Sequence, residues 1–216
     1  MKITKELLRE KGACAAGYRD FLKEFPEEKY PDGVEYQDLL DCCAEKNFSY
    51  GSWLLSEFGR TDDVRRIDGD LITKKSIIFA GRLEVSGIIK AGWGIKAGEG
   101  IEAGEGIEAG EGIKAGEGIK AGKGIKAGWG IKAGWGIEAG KGIKAGWGIK
   151  AGEGIKAGGG IEAGEGIKAG WGIEAGCEFG IYAGLRVRIT SGYRKIIAKT
   201  KPENIMCGEF VEAENE

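Results

Sequence analysis

The chain has 216 residues, a formal net charge of −2 from 32 basic and 34 acidic side chains, and no histidine. This near balance speaks against a strongly basic nucleic-acid binder and against an acidic mimic of nucleic acid. The missing histidine removes the commonest general acid/base and the commonest metal ligand together. Five cysteines, Cys14, Cys42, Cys43, Cys177 and Cys207, lack the paired short spacings of a zinc site and read as reduced thiols.

Residues 1–62 carry apolar side chains at helical spacing: Ile3, Leu7 and Leu8, then Tyr18, Phe21, Leu22 and Phe25. Pro26 and the Pro31-Asp-Gly turn interrupt them. Tyr36–Lys46 and Tyr50–Phe58 continue the pattern, and Gly59 ends it. Three or four short helices around a small aromatic core are expected. The charged start, Met1–Arg9, lacks the apolar core of a signal peptide, and no run of 18 apolar residues exists. The expectation is a soluble, cytoplasmic protein with no membrane partner.

From Ala91 to Gly176 only Gly, Ile, Lys, Ala, Glu and Trp occur, and Ile falls at every sixth position from Ile89 to Ile173. The unit reads Ile, charged, Ala, Gly, variable, Gly. Its phase extends back through Leu83, Ile77 and Leu71, so the 108 residues from Leu71 to Glu178 make 18 units. Ile and Ala lie two apart around a charged residue, which makes a three-residue strand with two side chains inward. Gly-X-Gly is then the turn, where positive φ is expected of glycine. A single strand of this kind buries nothing, whereas stacked coils do.

The predicted fold is α+β but mainly β. It is a triangular parallel β-solenoid (β-helix) of about six coils of three hexads, with a small N-terminal α-helical domain. The divisions are a helical cap domain over 1–62, the solenoid over 63–178, and a C-terminal β cap with an acidic tail over 179–216. In the last segment the phase slips to Ile181. Strands are expected over Leu185–Thr190, Tyr193–Thr200 and Ile205–Val211.

The repeat resembles two known types of triangular helix. In hexapeptide acyltransferases the small residue precedes the large aliphatic by two, whereas here Ala follows Ile by two. The stretch from Ile67-Asp-Gly-Asp-Leu-Ile to Gly81-Arg-Leu-Glu-Val-Ser-Gly-Ile-Ile looks more like bactofilins, which implies a right-handed helix. The helical segment resembles N-terminal modules that precede repeat regions in uncharacterised proteins of bacteria, phages and mobile elements.

No enzyme is expected. The acyltransferases look to a histidine base that is absent, and no loop is placed to cover a cofactor, so the cofactor expectation is none. Calcium repeats need a recurring Asp that Ala91–Gly176 lacks, and no metal site is expected.

Taking every third unit sorts the outward charges into columns. One reads Lys96, Lys114, Lys132, Lys150, Lys168, a like-charge row. Another reads Glu84, Glu102, Lys120, Glu138, Lys156, Glu174, and the third Lys90, Glu108, Lys126, Lys144, Glu162. Solubility is the first account of the lysine row, with Glu99, Glu117 and Glu153 compensating it. The tryptophans resist that account. Trp93, Trp129 and Trp147 fall on one corner, Trp135 and Trp171 on the next, each between glycines and facing solvent, as interface anchors do.

These five Trp and five Lys residues are the candidate partner-binding set of a non-catalytic protein-binding scaffold. A protein is the leading partner; a homodimer through the Trp corners, and a polyanion or nucleic acid, stand behind it. The sharpest version is a phage or mobile-element protein that inhibits a host defence protein. The alternative is a filament-forming structural protein resembling bactofilins.

Overall fold

A computed structural model describes residues 1–187 and 191–213. The chain opens with α1 (Lys5–Glu10), α2 (Ala15–Glu24), α3 (Tyr36–Lys46) and α4 (Gly51–Glu57). Thr4 caps α1 by accepting from the Leu7 N–H, and the αL conformation of Asn47 ends α3. Their core is Ile3, Leu8, Phe21, Val34, Tyr36, Leu39, Leu40, Cys43 and Leu54. Leu22, grouped with the apolar positions by spacing, instead points to solvent. A short antiparallel pair, Lys2–Ile3 with Val34–Glu35, ties the two helical halves together and has no signal in the sequence.

The rest is a parallel β-solenoid of about eight turns, built on three sheets. The first face runs from Val64–Ile67 and Arg82–Val85 through Ile101–Ala103 to Ile173–Glu174. The second runs from Leu71–Thr73 through Ile89–Ala91 to Ile205–Cys207, and the third from Ile77–Phe79 through Ile95–Ala97 to Glu209–Glu212. Register is residue on residue, as in Ile95, Ile113 and Ile131, so every hexad stacks on the one three units earlier. The inward Ile and Ala side chains form one continuous core, with each Ile from Ile89 to Ile167 at most 1% exposed. Eight strands at a spacing of ~4.8 Å make each long face roughly 34 Å tall.

The eighteen hexads account for six of the turns. The others come from Val64–Ile67 ahead of the repeat and from the strands that follow the phase slip. Ile181 pairs with Ile161 although two extra residues precede it, and Ile196 pairs with Ile167. Ile205–Cys207 and Glu209–Glu212 then extend the second and third faces. The strand expected over Leu185–Thr190 is not formed at Leu185–Val187, which turn; 188–190 lie outside the described residues. Tyr193 sits in a single 3₁₀ turn, so the strand expected from it begins at Lys195. Of the acidic tail, 214–216 also lie outside the described residues.

The turn glycines are not in positive φ, contrary to the reading of Gly-X-Gly above: none of the positive-φ glycines lies within the hexads from Ile89 to Gly176. The reason for glycine is stacking. A Cβ on Gly134 would sit on the carbonyl oxygen of Gly116 in the coil before it, and Gly116 and Gly152 are blocked in the same way. The second glycine is looser: a Cβ on Gly136 would meet Gly154 O at 3.4 Å.

Candidate binding face

The outward position of each hexad alternates with two buried ones, so a charged residue there is forced into solvent. On the third face Lys96, Lys114, Lys132, Lys150 and Lys168 stand in direct register. The row is bounded at both ends by apolar residues. Ile78 pairs with Lys96 and is buried in the helical core, and Ile197 pairs with Lys168.

The lysines of the other faces behave differently. Lys90 and Lys126 both reach Glu108, at 3.0 and 3.6 Å. Lys144 meets Glu162 at 2.6 Å, Lys156 meets Glu174 at 3.3 Å, and corner Lys123 meets Glu105 at 2.9 Å. Among the described residues, none of the five third-face lysines is in an ion pair. Two ammonium groups one strand spacing apart in water repel by about 1 kcal/mol before salt screening.

Glu99 and Glu117, expected with Glu153 to compensate the lysine row, instead meet Arg60 and Arg82. Glu117 is 6% exposed and accepts from Arg60 at 2.6 Å and Arg82 at 2.8 Å, while Glu99 lies within 4 Å of the same two arginines. Both carboxylates are spent on joining the start of the solenoid to the chain leaving the helical module. Glu153 lines the groove over the first face.

The corner tryptophans divide. Trp129 and Trp147 stack in parallel, with ring centroids 5.5 Å apart and an interplanar angle of 8°. Trp129 lines a shallow groove of about 570 Å³ that runs beside the lysine row, together with Glu111, Glu165, Lys96, Lys114, Lys132, Lys150 and Lys168. Trp93 lies two coils earlier on that corner. Trp135 belongs to the opposite corner of the same face and lines the groove over the first face. Trp171 carries Lys199 over its ring at 5.3 Å. All five are exposed, from 40% at Trp93 to 66% at Trp171. The sequence-derived set is therefore one face with two edges: the lysines, Trp129 and Trp147 come together, while Trp135 and Trp171 stand apart.

Burial at the top of the row pushes the Lys96 amine below its ordinary range; Glu111 opposes this and Lys114 adds to it. Tyr193 and Lys195 border the same groove at its far end, and no pattern in the sequence points to them. Among the described residues no cluster of three His, Cys, Asp or Glu side chains is arranged to hold a metal ion, and no helix is long and apolar enough to cross a membrane.

Fold and face together define a β-solenoid carried on a helical module, with one face whose lysine row is in no ion pair among the described residues and is edged by tryptophan. Residues 1–63 match the model of the YdhT N-terminal domain, which covers the helices and stops at the first solenoid strand. No curated protein and no solved structure matches the chain.

Proposed function

We propose that the protein is a non-catalytic binding scaffold whose third face takes a protein partner with an acidic surface. The observation that carries this is the contrast among lysines. Those of the other columns are largely matched with glutamate, whereas a whole row of five is left unmatched beside a stacked Trp pair. Trp is the residue most typical of energetic centres in interfaces, and unmatched charge steers a complementary partner. The rigid coil holds both without any ordering on binding. A phage or mobile-element protein that inhibits a host defence protein is the sharper form, and its support is the resemblance of the N-terminal module alone.

Affinity capture from the native host, with the wild type beside Trp129→Glu/Trp147→Glu, tests the reading. A protein retained by the wild type and lost by the variant supports it. Retention of the same protein by both removes it, and capture of only the protein's own chain replaces the partner with a homodimer. Electron microscopy addresses the filament alternative. Gln37 and α3 cover the N-terminal edge of the third face, which opposes end-to-end stacking, so short particles are expected. Long filaments at micromolar concentration would favour the bactofilin-like role.

A further inference from the structure

The binding strip is finite, and its ends differ from its middle. Along the corner beside the lysine row the order is Trp93, Glu111, Trp129, Trp147, Glu165, each three residues ahead of Lys96, Lys114, Lys132, Lys150 and Lys168 in turn. The stacked Trp pair therefore sits at the centre with a carboxylate on each side. Glu111 lines the groove with Lys96 of the preceding coil, and its charge opposes the effect of burial on that amine. Glu165 lines the groove three residues ahead of Lys168, and Tyr193 and Lys195 bound its far end. Lys114, Lys132 and Lys150 are the middle three of the row, spanning two strand spacings, or about 10 Å.

Resting on the reading of this face as the binding surface, we propose that its occupant is a short acidic protein segment in which two or three carboxylates surround an aromatic residue. Side chains on one side of an extended peptide repeat at roughly 6.6 Å, so two or three of them reach all three lysines. The aromatic residue lies against the Trp pair, and the charged surroundings exclude water from it, as at other interface centres. A single nucleic-acid strand needs a longer basic track, about 4–16 nucleotides of it, with bases stacked on aromatic rings. Here such a strand meets Glu111 and Glu165 on either side of the only stacked ring pair on the described solenoid. These carboxylates act as repulsive elements that set specificity against long polyanions.

Fluorescence anisotropy at low salt with three labelled probes tests this: a blocked pentapeptide with central phenylalanine, glutamate at both ends and glycine between, the same peptide with glutamine for glutamate, and a twelve-residue oligothymidylate. The acidic peptide is expected to bind at least tenfold more tightly than the glutamine peptide. It should weaken at least tenfold in Lys132→Gln/Lys150→Gln and in Trp147→Ala, and be unchanged in Lys126→Gln on the second face. Oligothymidylate is expected to bind measurably only after Glu111→Gln/Glu165→Gln. Wild-type binding of oligothymidylate as tight as that of the acidic peptide overturns the proposal in favour of nucleic acid and leaves the face in place. Failure of the acidic peptide to bind also overturns it, while host capture decides the face separately. Circular dichroism of each variant confirms that the solenoid is intact.

Discussion

The side-chain amide of Gln37 donates to the carbonyl oxygen of Ile78 at 2.9 Å, and its own oxygen accepts from the Ala80 N–H at 3.0 Å. A side chain thus stands where the next strand of the third face would lie, and the solenoid edge is closed by a helix instead of by another coil. Open strand edges invite pairing with other chains.

Gln37→Ala leaves two backbone groups of the edge strand without partners in a part-buried site. A loss of about 1–3 kcal/mol is expected. Thermal unfolding measures it, and the variant should also aggregate sooner on heating.

The two turn glycines should respond differently to the same substitution. Gly134→Ala places a methyl group on a backbone carbonyl of the neighbouring coil, which cannot withdraw without breaking the ladder, whereas Gly136→Ala needs a shift of a few tenths of an ångström. The first should lower the melting temperature by several degrees and the second by little. Equal effects would show that glycine is needed for backbone freedom, not for stacking.

Removing like charge from the third face should stabilise the coil. Lys132 lies between Lys114 and Lys150 in register, so Lys132→Glu converts two repulsive contacts into attractive ones. A gain of roughly 0.5–1 kcal/mol at low ionic strength is expected, fading by 1 M salt. Lys126→Glu on the second face, where Lys126 lies between Glu108 and Lys144, exchanges one attractive and one repulsive contact and should change stability little. Melting curves at two salt concentrations distinguish them.

The helical module is expected to be the alkali-sensitive part. Burial pushes the Cys43 thiol up to about 12 and the Tyr36 phenol to about 12. Both acids have folded values above their unfolded ones, near 8.5 and 10. Their neutral forms therefore contribute stability that is complete below about pH 8.5 and lost as pH rises toward 12. Far-ultraviolet circular dichroism should show helical signal disappearing in that window ahead of the strand signal. Thiol reagents should label exposed Cys14 and Cys177 well before Cys43.

The period of six carried most of the solenoid. Once Ile and Ala turn inward and three units close a coil, the outward residues fall into columns by arithmetic, and the register of Lys96 on Lys114 follows. The structural partnerships across long separations were not legible. Glu117 meets an arginine 57 positions earlier, and no local rule tells that its charge is spent there and not on the lysines. Gln37 looks like one more polar residue on a helix until the edge strand is brought beside it. The strands after Ile173 obey the coil but not the period, because connections of different length, such as the one between Ala198 and Ile205, carry the chain from face to face.

The decisive measurement is the affinity for the captured partner of one charge reversal per face: Lys150→Glu on the third face, Lys144→Glu on the second, Lys156→Glu on the first. If the third face is the binding surface, Lys150→Glu alone loses tenfold or more in affinity, and the other two stay within twofold of the wild type. Equal losses on all three faces, or a loss confined to the first or second, would contradict it.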